Sequence, residues 1–232
     1  MSYQVRPVVV LFARMSSSRL PGKALKRLAG KEILGICIDR LRTTRADLCV
    51  LTSTDCSDDK IEEYCRKINV ACFRGDLQSP MIRLKEFLFS SDQRYNLVVR
   101  VTADNIFPDF HLIEDLIDQS LKRGGCDRYE FIAGGESGLP KGVAVEVIGV
   151  ELLQESVFSS EDPDILEHIT PDLRRKFKAR VFGRGFGLRS GDVNVSIDTA
   201  EDFAKMQDFW KSDYKNIHYI DLVEKFLEFD NV

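Results

Sequence analysis

Short apolar, β-branched runs alternate with longer amphipathic stretches through the first half of this chain, and few folds accept that order. VVVLFA (8–13), LCVLTS (48–53), VACFRG (70–75) and YNLVVRVTAD (95–104) read as strands. Helical spacing fills 32–44, 57–69, roughly 80–91 and about 110–123. Strand–helix–strand order calls for parallel pairing with a crossover, so helices cover both faces of the sheet. Ser57, followed by carboxylates, is a fitting N-cap for the second helix, and Gly124–Gly125 stops the fourth. The second half is less regular. RYEFIAG (128–134), GVAVEVIGV (142–150), FKARVFG (177–183) and VNVSI (193–197) read as strands, 162–176 as helical and 200–229 as two terminal helices. The expectation is a three-layer α/β fold with a mostly parallel central sheet. With 232 residues, 44% of them hydrophobic, and no repeat, low-complexity tract or linker, the chain is expected to form one domain, 1–232.

Several function classes fall away on composition. The net charge is −4, with no basic tail and no aromatic–basic interleaving, which speaks against a nucleic-acid partner. The apolar run Val8–Ala13 is too short for a signal-peptide core or a membrane span, so neither export nor a membrane partner is expected. The sequon NVS (194–196) is then accidental. The six cysteines, at 37, 49, 56, 65, 72 and 126, include no C-x-x-C pair and are expected to be reduced and buried in a cytoplasmic protein. His111, His168 and His218 have no metal-ligand spacing, and EHIT (167–170) is expected to pack or hydrogen-bond within a helix. Ser16, Ser17 and Ser18 have no sequence-adjacent base, so acyl transfer has little support.

One local feature stands against the acidic background. ARMSSSRLPGK (13–23) and the residues following it carry Arg14, Arg19, Lys23, Lys26, Arg27 and Lys31 without an intervening acid. Like charges this close either face water or await an anion, and the sequence alone leaves both readings open. The loop follows the first strand, where ligands bind in doubly wound sheets. It has neither the G-x-x-x-x-G-K-S/T spacing of a P-loop nor a dinucleotide fingerprint, and GRGFG (183–187) fails that fingerprint too. Asp104 and Asp198 each end a β-type run, so both carboxylates can enter the same crevice. Such a pair suits Mg2+ shared with phosphate and water, although a turn or helix-cap role for either Asp, Asp198 above all, stays open. A cation site beside a polyphosphate loop points to a nucleoside triphosphate.

ARMSSSRLPGK, RVTADNIFPD, EHITPDLR and SIDTAEDF resemble, in the same order, the motifs A-R-M-G-S-S/T-R-L-P-G-K, R-x-T-G-D-x-P-x-x-D, E-H-x-T-P and x-D-T-P-E-D of the cytidylyltransferase-like proteins. Within that family the resemblance is to the branch of spore coat polysaccharide biosynthesis protein F, related to CMP-Kdo and CMP-N-acylneuraminate synthetases. The resemblance implies a Rossmann-like nucleotidyltransferase, usually a homodimer, that takes CTP, Mg2+ and a sugar and forms a CMP-sugar with release of pyrophosphate for surface polysaccharide. It implies that Ala13, Arg14, Ser17, Arg19 and Lys23 hold the nucleotide, with Asp104 and Asp198 as metal ligands. Arg14, Lys23 and Asp104 would act in catalysis, and Arg100, Lys141 and Glu146 on the sugar side.

The chain departs from these motifs at Ser16, Ala103, Ile106 and Ala200, and GLPKGVAVEV (138–147) replaces P-D-G-x-D-V-E-V, with Lys141 and Ala144 in place of two acids. These departures keep a nucleotide-binding protein without catalysis as the alternative. A glycosyltransferase is less consistent with the sequence, because it would leave the pyrophosphate-handling basic loop unexplained.

Overall fold

The computed structural model describes residues 5–42, 45–123, 129–133, 137–181 and 193–230. Among the described residues the central sheet has six strands. β1 (Pro7–Phe12), β4 (Asp47–Ser53), β5 (Ala71–Gly75) and β6 (Leu97–Thr102) come from the first half, β7 (Tyr129–Ile132) and β8 (Val145–Gly149) from the second. The strand order is β5-β4-β1-β6-β8-β7. The first four strands are mutually parallel, while β8 runs antiparallel to both β6 and β7. A small hairpin, β2 (Arg27–Leu28) and β3 (Lys31–Glu32), follows the basic loop.

β1 is flanked on both edges and covered on both faces, so Val8, Val9, Val10 and Leu11 are fully buried. This is why it reads as a continuous apolar run rather than an alternating one. Val9 and Leu11 face one core with α1 (Ile33–Leu41), α4 (Phe110–Lys122) and the terminal helices α8 (Ala200–Phe209) and α9 (Tyr219–Asp230). Val8, Val10 and Phe12 face the other core, with α3 (Pro80–Ser90), α5 (Val150–Ser156), α6 (Pro163–His168) and α7 (Pro171–Lys176). α2 (Asp59–Lys67) joins the first face through Ile61 and Cys65.

α1 is buried at eight of its nine positions because the C-terminal segment packs over it. Arg40 makes that burial tolerable: its guanidinium donates to the carbonyls of Phe107, Pro108, Tyr214 and Ile217 at 2.6–3.2 Å and pairs with Asp109 at 3.6 Å. Burial lowers its pKa to about 10, with Asp109 opposing. Asp109 in turn caps α4 at Leu112 and accepts from the Tyr219 N–H, tying the last helix to the sheet.

The structure corrects several local expectations. Asp55, not Ser57, caps the start of the second helical region: it accepts from the Ser57 N–H at 2.8 Å, and a 3-10 turn, Cys56–Asp58, precedes α2. The third strand of the second half does not form over 177–181; the Arg180 N–H makes a single bond to the Phe131 carbonyl. VNVSI forms only a bridge between Asn194 and Lys141. The 162–176 stretch splits in two at Ile169, whose φ of 68° is followed by Thr170 and by Pro171 at the start of α7. α5 emerges from the end of a run read as strand. Gly124–Gly125, GRGFG and Cys126 lie outside the described residues. Among the described residues no helix is long and apolar enough to cross a membrane; Cys37, Cys49, Cys56, Cys65 and Cys72 are free thiols, and against the expectation of burial Cys56, in the 3-10 turn before α2, is exposed and Cys72 half-buried.

Candidate active site

The ends of β1 and β6 are level, Phe12 pairing with Thr102, so the loops leaving them start side by side. The Ala13 N–H bonds the Leu51 carbonyl and the Ala103 N–H bonds the Phe12 carbonyl, continuing the ladder one residue beyond each strand. From there the basic loop is held by a buried carboxylate that sequence reasoning missed. Asp58 accepts from the Met15 N–H at 2.6 Å and, through its second oxygen, from the Ser53 N–H and hydroxyl at 3.0 and 2.5 Å. Gly22, at φ 70°, turns the chain back so that its N–H reaches the Met15 carbonyl at 3.0 Å. Lys23 therefore starts a 3-10 turn (Lys23–Leu25) with its side chain facing the crevice.

Lys23 Nζ lies 2.9 Å from Asp104 Oδ2, 3.1 Å from Asp198 Oδ1 and 3.3 Å from the Ile197 carbonyl. Burial pulls the ammonium pKa down, but the two carboxylates outweigh it and hold the pKa above its ordinary value. For Asp198 burial acts upward and is outweighed by Lys23 and Arg19, so its pKa is lowered. Arg19 reaches Asp198 at 3.3 Å. Asp198 does not cap α8. Thr199 does, in a reciprocal capping box with Asp202, which leaves the Asp198 carboxylate for the crevice.

These groups line a cleft of about 430 Å3. Its walls carry Ala13, Arg14, Ser16, Ser17, Ser18, Arg19 and Lys23 from the loop, Arg100 and Asp104 from β6 and its end, and Asp198. Pro80 and Arg83 of α3 and Glu167 and His168 of α6 also line it, and sequence reasoning placed none of these four in the site. The EHIT motif was the available signal for the last two. Arg83 is buried, with its fork on the Asp76 and Leu77 carbonyls.

Two expected sugar-side residues are not at the cleft. Lys141 is exposed and engaged through its backbone with Val193 and Val195. Glu146 is 1% exposed and lies across the sheet from Arg100, its partner in register. It accepts from Arg100 Nη1, Tyr129 Oη and Thr170 Oγ1 at 2.6 Å each, and from Arg174 Nε at 2.8 Å. Burial opposes its ionisation, yet the two arginines and two hydroxyls lower its pKa to about 2. Glu146 is thus a structural anchor: it fixes Arg100, which does reach the cleft, over the Phe12 ring at 5.7 Å. Arg100 Nε has no partner among the described residues.

Residues 8–137 match the family model for cytidylyltransferases. The chain belongs to the cytidylyltransferase family. It is 27% identical over 208 residues to spore coat polysaccharide biosynthesis protein SpsF of Bacillus subtilis (strain 168), covering 85% of this chain and 83% of that one. A 3-deoxy-manno-octulosonate cytidylyltransferase of Bartonella tribocorum is 30% identical over 187 residues, covering 78% and 67%. Among solved structures, a cytidylyltransferase from Leptospira borgpetersenii serovar Hardjo-bovis is similar with a TM-score of 0.83 and 25% identity, over 98% of this chain and 96% of that one.

For a cytidylyltransferase the departure at Ser16 is mild. Among the described residues only Ala29, Asn69 and Ile169 take positive φ without being glycine, so the backbone at Ser16 needs no glycine and its side chain simply joins the cleft wall. Ile106 is fully buried in the core. Asp104, Asp198 and the Ile197 carbonyl offer hard oxygen donors around one point, and these residues fit Mg2+, which completes its shell with phosphate and water. Asp58→Ala is expected to lower stability by about 2–3 kcal/mol, since it strands buried N–H groups, and to weaken nucleotide binding about tenfold by releasing the loop. Thermal denaturation and calorimetry read the two effects separately.

Proposed function

We propose that this cytidylyltransferase uses CTP and Mg2+ to activate a sugar as its CMP derivative, with release of pyrophosphate, in the synthesis of surface polysaccharide. The observation that carries this reading is the basic loop facing two convergent carboxylates across one cleft, with Lys23 between them. Arg14, Ser17, Arg19 and Lys23 stand where they can take the triphosphate oxygens by charge-assisted hydrogen bonds. Arg100, Glu167 and His168 border the remaining space, which suits a polyhydroxy acceptor. The sugar hydroxyl oxygen forms a bond to the α-phosphorus as the bond to the bridging α–β oxygen breaks. The electron pair leaves on pyrophosphate, and the hydroxyl proton passes to solvent. Lys23 and the arginines offset the charge that builds on the leaving group, and Asp104 and Asp198 would hold the cation. When bound, that cation supplies further charge neutralisation and polarises the attacking hydroxyl. As in the resemblance from sequence, the working form would be a cytoplasmic homodimer.

A binding protein without catalysis draws less support than the motif departures suggest, because Lys141 lies away from the cleft and Ser16 has ordinary φ. Titration calorimetry with CTP and Mg2+ should give saturable binding; none at millimolar nucleotide would sink the proposal. Mass spectrometry of an acidic and neutral sugar panel incubated with CTP and Mg2+ should then yield one CMP-sugar. Binding with no product across the panel favours the silent binder.

A further inference from the structure

Lys23 occupies the place that the proposed reaction reserves for a divalent cation. Its ammonium is surrounded by a carboxylate oxygen of Asp104, a carboxylate oxygen of Asp198 and the Ile197 carbonyl, all within 3.3 Å. These oxygens are also the donor set on which a metal would draw. We propose that Lys23 is a resident counter-cation that closes this pair of carboxylates to free divalent metal, and that the triphosphate opens the site by drawing the ammonium away. Metal binding is then conditional on nucleotide. The inference rests on the reading of Asp104 and Asp198 as the metal carboxylates.

Three features support the exchange. An ammonium is a compact charge on a flexible four-carbon stem, so it can leave by side-chain rotation alone. The backbone of Lys23 stays anchored meanwhile, its N–H on the Leu20 carbonyl at 3.2 Å and its carbonyl accepting from the Lys26 N–H at 3.1 Å. The carboxylates also keep other donors when Lys23 departs. Thr102 Oγ1 donates to Asp104, and Ser196 Oγ, whose proton is shared with Asn194 Oδ1 at 2.8 Å, lies 3.2 Å from Asp198, so each carboxylate keeps a contact while the cation enters. While Lys23 is in place, its charge and that of Arg19, 3.3 Å from Asp198, repel a free divalent ion from the same position. A triphosphate reverses the balance by offering both cations a more strongly charged partner.

The test is Mn2+ binding to the whole protein without nucleotide, followed by the loss of the free-ion signal in electron paramagnetic resonance. Lys23→Met is expected to bind Mn2+ about tenfold or more tightly than the unaltered protein, because a competing charge is removed. Lys23→Arg should bind it as weakly as the unaltered protein. Adding Asp104→Asn to Lys23→Met should abolish the gain. If Lys23→Met does not fold, Lys23→Gln, which keeps an N–H donor without the charge, takes its place. Equal Mn2+ affinity with and without the lysine, weakened by Asp104→Asn in both, overturns the counter-cation role and leaves the metal reading standing. Mn2+ binding indifferent to Asp104→Asn in every background overturns both.

Discussion

Asp104→Asn is expected to slow CTP-dependent pyrophosphate release by about a thousandfold or more, the scale on which a preorganised electrostatic contact acts in a water-poor site. The substitution is nearly isosteric, and the side chain is a quarter exposed beside Lys23, so the fold should survive. Thr102 still bonds position 104, and the Ala103 N–H still holds the loop to β1. The melting temperature should therefore move by only a few degrees, in keeping with the small worth of a partly exposed ion pair. Lys23→Ala should match Asp104→Asn in the loss of turnover. Near-normal pyrophosphate release by Asp104→Asn would remove that residue from the mechanism.

Glu146→Gln is expected to have the largest effect on stability, about 3 kcal/mol, because it removes the buried counter-charge of the part-buried Arg100 of β6 and of the more exposed Arg174 of α7. The pH dependence identifies the cause. The Glu146 pKa is about 2 in the folded protein against an ordinary 4.5, so its contribution is complete above pH 4.5 and is lost as the pH falls towards 2. Across that window the unaltered protein should lose about 3 kcal/mol from this group, and Glu146→Gln should show no such loss. Urea unfolding at a series of acidic pH values measures both. An unchanged acid slope in the variant would show that the arginines paired with Glu146 do not depend on its charge. Turnover should also suffer, through a higher KM for the acceptor, since Arg100 loses the partner that directs it into the cleft.

The elements of the first half follow from sequence because periodicity and strand composition are local. Of the central-sheet strands from β1 to β6, β5 and β6 fall within a run that the apolar pattern identifies, and β1 and β4 begin one residue before theirs. The second half is harder to read for a physical reason: its segments are defined by single contacts with distant residues. The bridge at Asn194 exists only because Lys141 lies opposite, and α6 ends where Ile169 turns through positive φ. The site divides in the same way. The basic loop and the two aspartates stand out by charge and position, and Glu167 and His168 by the EHIT motif, whereas Asp58 and Arg83 carry no local mark of their surroundings.

What the sequence determined by itself is the α/β order, the concentration of cations after β1 and the presence of one carboxylate at each of two strand-like ends. Only the tertiary structure decided how these groups meet. Lys23 is separated from Asp104 by 81 residues and from Asp198 by 175, yet a single ammonium touches both. Glu146 looks like a ligand-binding acid in its motif, but burial and four donors make it an anchor. Charge is a property of the residue, whereas its partners and its distance from water are properties of the packed chain.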